Sequence, residues 1–174
     1  MTNAVNHIAV SVTDIHRAMS WYRDVLGMTV LVKPIEVAYP PPNKQDGGND
    51  DNRAGISERV KAVFGPAFGK LLISHLSSSN GVGIELFQFI EPKAERRIGD
   101  SNFEYWKTGF FHIAITDPKI EELAARIASN GGKKRTEVTE LAPGSGKKIC
   151  FCEDPDGNII EIYSHSYEQF WANS

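Results

Sequence analysis

The phrase N-H-I-A-V-S-V-T-D at residues 6–14 returns as F-H-I-A-I-T-D at residues 111–117, and each copy writes a histidine into an otherwise apolar strand. Side chains alternate along a strand, so His7, Ala9, Ser11 and Thr13 share one face while Ile8, Val10 and Val12 share the other. The second copy repeats the division, with His112, Ala114 and Thr116 opposed to Ile113 and Ile115. The segment after each strand is repeated too. Thr13 or Asp14 caps a helix whose apolar stripe is Ile15, Ala18, Met19, Tyr22 and Leu26, ending at Gly27. Asp117 as N-cap and Pro118 in the first turn open a second helix that carries Ile120, Leu123, Ala124, Ile127 and Ala128 toward Gly131-Gly132. A chain of this kind is an internal duplication.

The remainder fits the same plan. Thr29 to Val32 begins a strand, Tyr39 to Asn52 reads as a loop or mobile lid, and Leu71 to Ser77 with Gly83 to Phe89 form a hairpin across S-S-S-N-G. In the second half, strands are expected near Arg135 to Leu141, Lys148 to Glu153 and Asn158 to Ser164, the last two joined by the turn D-P-D-G. Each half is therefore strand, helix and three strands, closing on G-I-E-L-F-Q or I-I-E-I-Y-S. The expected class is α+β: two paired βαβββ modules forming a curved mixed sheet around a metal cleft. Residues 1–98 make the first module, with a loop insertion near 33–62, and residues 99–174 make the second, with a C-terminal tail. The separation from His7 to Glu85 exceeds that from His112 to Glu161 by 29 residues, which the insertion absorbs.

Pairing of the halves would set equivalent positions across a shared cleft, His7 facing His112 and Glu85 facing Glu161. Two imidazoles and two carboxylates suit a divalent Zn, Ni, Co, Fe or Mn ion, and the lack of thiolates disfavours a closed structural zinc site. Four protein ligands leave a position open for water or substrate. A glutamate inside an apolar strand such as G-I-E-L-F also demands a partner, because burying an unpaired carboxylate costs several kcal/mol.

Composition narrows the partners. A formal charge of −3, from 19 basic and 22 acidic residues with no long run of one sign, argues against nucleic acid or a membrane surface. Cys150 and Cys152, the only two cysteines, point to the same strand face and are expected as reduced core residues. With no basic-then-apolar leader and no run near about 18 apolar residues, a cytoplasmic protein is expected.

H-I-A-V-S-V-T-D with S-W-Y-R-D-V-L-G-M, then G-I-E-L-F, F-H-I-A-I-T-D and E-D-P-D-G-N-I-I-E-I together resemble the vicinal oxygen chelate superfamily, also called the glyoxalase/bleomycin resistance/dioxygenase group. The resemblance runs from about Asn6 to His165 and is most specific to glyoxalase I. It implies a divalent metal held by His7, Glu85, His112 and Glu161, and a lyase or isomerase that transfers a proton next to a carbonyl on a small vicinal-oxygen substrate, such as a thiol adduct or an acyl-CoA. Glu161, and by symmetry Glu85, are the implied catalytic bases. Methylmalonyl-CoA epimerase and the non-catalytic bleomycin-resistance proteins are the alternatives within the group. The arginine and asparagine that bacterial glyoxalase I generally uses to hold glutathione are Ser11 and Phe89 here. Phe87, Phe89 and Tyr163 share parity with the glutamates and are expected to line the cleft. The segment A-P-G-S-G-K-K at 142–148 reads as a hairpin loop, with an anion-binding role for its N–H groups and Lys147 or Lys148 as the alternative. The aromatics Phe103, Tyr105, Trp106, Phe110 and Phe111 are expected to pack between the modules, and Tyr167, Phe170 and Trp171 to cover a neighbouring subunit in a homodimer.

Overall fold

The computed structural model describes residues 3–41, 51–96 and 105–172. It divides into two compact units, Met1–Glu95 and Arg96–Ser174. The class is α+β, with one mixed sheet in each unit.

In the first unit, β1 (His7–Ser11) leads into α1 (Ile15–Asp24), β2 (Thr29–Ala38), α2 (Asp51–Phe64), β3 (Lys70–Ser77) and β4 (Gly83–Glu91). The sheet order is β1-β4-β3-β2, with β1 parallel to β4 and the other pairs antiparallel. Helix α1 starts where Asp14 accepts hydrogen bonds from the N–H groups of His16 and Arg17, satisfying donors that a first turn leaves orphaned. Its buried face is Ile15, Ala18, Trp21 and Tyr22, with Tyr22 fully enclosed. Met19 and Leu26, assigned to the stripe from sequence, lie only half-buried beside it. That face packs on the side of the sheet carrying Val10, Ile84, Leu86 and Leu76, each worth about 1.5–3 kcal/mol in burial. The opposite side, with His7 and Glu85, is left free of α1.

The stretch 33–62 is not simply a loop. Strand β2 continues to Ala38, and α2 occupies residues 51–64; residues 42–50, in the middle of the expected lid, lie outside the described residues. A helical spacing is present in Ile56, Val60, Val63 and Phe64, but it is weakly amphipathic: Ile56, Val63 and Phe64 are all exposed.

In the second unit, β5 (Ile113–Thr116), α3 (Ile120–Ser129), β6 (Lys133–Lys134), β7 (Thr139–Glu140), β8 (Lys148–Glu153), β9 (Ile159–Tyr163) and α4 (Tyr167–Trp171) follow in order. The path is β5-β9-β8-β6, with β7 also on β8 and β5 parallel to β9. Of the strand expected near 135–141 only β7 forms; β6 lies just before it, and both pair with β8. Helix α3 begins two residues later than its sequence suggests, because Asp117 spends its Oδ1 on the Lys119 N–H in a local turn. Ile120, Leu123, Ala124 and Ile127 form its buried face as expected.

Both cysteines are fully buried and free, their sulfurs 3.9 Å apart. Burial, followed by the neighbouring Cys150, pushes the Cys152 thiol up to about 12, so it is an inert core group. The aromatic run takes another course. Tyr105, Trp106, Phe110 and Phe111 are exposed, since residues 105–109 form successive turns and not an element with a buried face; Phe103 lies outside the described residues. In the tail, a capping box between Ser166 and Gln169 starts α4, and Phe170 is buried against Tyr163 with ring centroids 4.6 Å apart, while Tyr167 and Trp171 are exposed.

Candidate metal half-sites

The duplicated strands use one register. In the first unit Ala9 pairs with Glu85, and in the second Ala114 pairs with Glu161, with His7 and His112 each two residues before the alanine. The Val12 N–H donates to the Phe87 carbonyl and the Asp117 N–H to the Tyr163 carbonyl, each acceptor two residues past its glutamate. Parallel pairing with this offset sets imidazole and carboxylate on one sheet face.

In the first unit, His7 Nε2 lies 3.4 Å from Glu85 Oε2. Its other ring nitrogen, Nδ1, bonds the Asn6 side-chain oxygen at 2.8 Å, and since that oxygen only accepts, the hydrogen sits on Nδ1. Nε2 is left with a lone pair facing a carboxylate oxygen, an arrangement that a cation shared by the two atoms satisfies. Room for the ring comes from its strand partner Gly83: a Cβ there would stand 3.0 Å from the Cβ of His7. Sequence reasoning read Gly83 only as a strand start.

In the second unit, His112 Nε2 lies 3.2 Å from Glu161 Oε2. The ring is held edge-to-face by Phe111 and Phe151, with centroids 4.7 and 5.8 Å away. Its Nδ1 is buried and, among the described residues, has no hydrogen-bond partner. The ion-free ring therefore keeps its proton on Nε2, toward Glu161, and an incoming ion would displace it. Glu161 is the more buried carboxylate, 9% exposed at the side chain against 22% for Glu85. Burial raises it above the usual glutamate range, opposed by the adjacent His112 and by a hydrogen bond with the Tyr163 hydroxyl. The turn D-P-D-G fixes the start of this strand: Asp154 accepts from the Asp156 and Asn158 N–H groups, and Gly157 takes the positive φ of 87° that closes it.

These separations suit a shared ion. Two ligands bonded at about 2.0–2.2 Å and splayed by a right or tetrahedral angle stand about 3–3.5 Å apart. Among the described residues no group of three or more His, Cys, Asp or Glu is arranged to hold an ion. Each unit brings together an imidazole–carboxylate pair, and in the first a second imidazole, His75, also stands against Glu85.

Of the remaining expected site residues, Phe87 and Phe89 do share the Glu85 face, but Phe64 at the end of α2 packs on both, at 6.0 and 5.0 Å. Ser11 is exposed. The loop after β7 is a plain hairpin connection: Glu140 accepts from the Gly144 and Gly146 N–H groups, Lys147 bonds the Phe170 carbonyl, and Lys148 pairs with Glu121. Among the described residues no helix is long and apolar enough to cross a membrane.

The chain is 25% identical over 175 residues to a lactoylglutathione lyase of Schizosaccharomyces pombe, covering 99% of this chain and 51% of that protein. It is 24% identical over 156 residues to the lactoylglutathione lyase GLX1 of Arabidopsis thaliana, covering 90% and 42%. The chain thus spans about half the length of these relatives. Among solved structures, a glyoxalase family protein from Bacillus cereus superposes with a TM-score of 0.64 at 18% identity, covering 91% of each chain. Glyoxalase I from Zea mays superposes at 0.58 and 23% identity, covering 93% of this chain and 44% of that one. These likenesses establish the fold. The family profile described as Glyoxalase/Bleomycin resistance protein/Dioxygenase superfamily matches residues 4–162, and the chain belongs to that superfamily.

Proposed function

We propose that the chain is a divalent-metal-dependent lyase or isomerase of the glyoxalase I type, which moves a proton between adjacent carbons of a small vicinal-oxygen substrate. The observation that supports it most is the recurrence of one imidazole–carboxylate pair, in one strand register, in both units. His7, Glu85, His112 and Glu161 would together hold the ion. When bound, the ion supplies positive charge for the oxygens of the substrate and so favours loss of the neighbouring carbon-bound proton.

The residues of the chain divide the remaining work. Glu161 takes the proton from carbon and returns it to the adjacent carbon, so no atom is gained or lost. Its burial, 9% exposed at the side chain, shields it from water as a base at carbon requires. The Tyr163 hydroxyl orients that carboxylate, and Phe111 and Phe151 pack edge-to-face on the His112 ring and hold its plane. Asn6 fixes the His7 tautomer, presenting Nε2. Exposed Ser11 and the packed Phe89 offer neither a cation nor an amide to a peptide-like thiol, so a glutathione adduct is expected to be turned over with a high KM.

The test is a metal-loaded sample in deuterium oxide, supplied with the hemithioacetal of methylglyoxal and glutathione or with methylmalonyl-CoA. Thioester formation from the hemithioacetal, abolished by chelator and restored by the ion, is the expected result. Deuterium entry into methylmalonyl-CoA alone would move the assignment to the epimerase; silence with both would refute catalysis on these substrates.

A further inference from the structure

The two half-sites differ at one position that the duplication makes equivalent. On the strand beside each glutamate, directly opposite it, stands His75 in the first unit and Phe151 in the second. His75 Nδ1 lies 3.3 Å from Glu85 Oε1, while His7 Nε2 lies 3.4 Å from Glu85 Oε2. Glu85 is thus bracketed, one imidazole on each oxygen. Glu161 has an imidazole at Oε2 and, from the strand alongside, the Phe151 ring.

Resting on the proposed metal binding, we infer that His75 is a positioning residue that clamps Glu85 as a fixed, single-oxygen ligand and so leaves Glu161 as the carboxylate free to carry protons. A carboxylate oxygen accepts and does not donate, so a hydrogen bond across this contact would use a hydrogen on His75 Nδ1. With Oε1 engaged, Glu85 presents Oε2 alone, on the side where His7 Nε2 lies. His75 does not complete a ligand set. It reaches the opposite oxygen, through the opposite ring nitrogen. Phe151 gives Glu161 no second imidazole; besides His112, its polar neighbour is the Tyr163 hydroxyl.

Outer partners of this kind typically govern metal affinity by about 10–100-fold. Cobalt(II) affinity and visible absorption are to be measured for the wild type, His75→Ala and His75→Asn, with His7→Ala as the ligand-loss control. Asparagine places an N–H close to where Nδ1–H stood. The expected result is a loss of about 10–100-fold in His75→Ala with the absorption bands unchanged, and recovery of most of the affinity in His75→Asn. Wild-type affinity in His75→Ala, no recovery in His75→Asn, or bands altered as in His7→Ala would overturn the assignment. If the wild type takes up no cobalt, the metal-binding reading fails separately. The clamp is then judged from imidazole nitrogen-15 signals: an Nδ1–H tautomer of His75 that responds to Glu85→Gln supports it, and an Nε2–H tautomer indifferent to that change refutes it.

Discussion

Replacing Glu161 with glutamine lowers kcat by about 10³-fold at saturating metal, the magnitude expected when a positioned base is lost. Glutamine retains an oxygen for the ion and keeps the strand packed, but it takes up no carbon-bound proton. Glu85→Gln should behave differently. Its carboxylate is bracketed by His7 and His75, so the change weakens ion binding, while kcat at saturating ion stays within about tenfold of wild type. Measuring kcat against metal concentration for the two variants separates the roles. Equal losses of kcat, or the larger loss in Glu85→Gln, would contradict the division of labour between the halves.

The second large effect concerns stability. Glu153 is buried, and the guanidinium Nη1 of Arg135 pairs with its Oε1. Removing the cation leaves a carboxylate enclosed beside Cys152 and the turn at Asp154, without its counter-charge. Arg135→Met is expected to destabilise the chain by about 3–5 kcal/mol, read as a lower denaturant midpoint with an unchanged slope. The double variant Arg135→Met with Glu153→Leu should recover most of that loss, because no charge then remains to be neutralised. A single-variant loss below about 1 kcal/mol would show the pair to be as weak as an exposed one.

Arg135 and Glu153 also mark where the sequence stops being readable. Both sit in segments whose strand character is evident, yet nothing in their spacing tells that one neutralises the other, because the pairing of β6 and β8 brings residues 18 apart together. By contrast, the repeated H-I-A phrase carries the β1 and β5 faces, both subsequent helices and the carboxylates on β4 and β9, since alternation and helical spacing are local signals. Local rules fail at three points. Helix α2 is masked by its weak apolar face and by the Pro- and Gly-rich run before it. The strand expected near 135–141 shrinks to β7, with β6 just ahead of it, by pairing that only β8 decides. His75 is recognisable as lying near a ligand, but its place on the second oxygen of Glu85 depends on the β3–β4 register, and so does the contrast with Phe151.

Cobalt(II) titration of the wild type beside His7→Ala and His112→Ala, which lie in different units, is the most direct measurement. One ion per chain in the wild type, with affinity collapsing in both variants, is the predicted outcome. Full affinity surviving in either variant, or no uptake by the wild type, would mean that the paired half-sites do not share an ion.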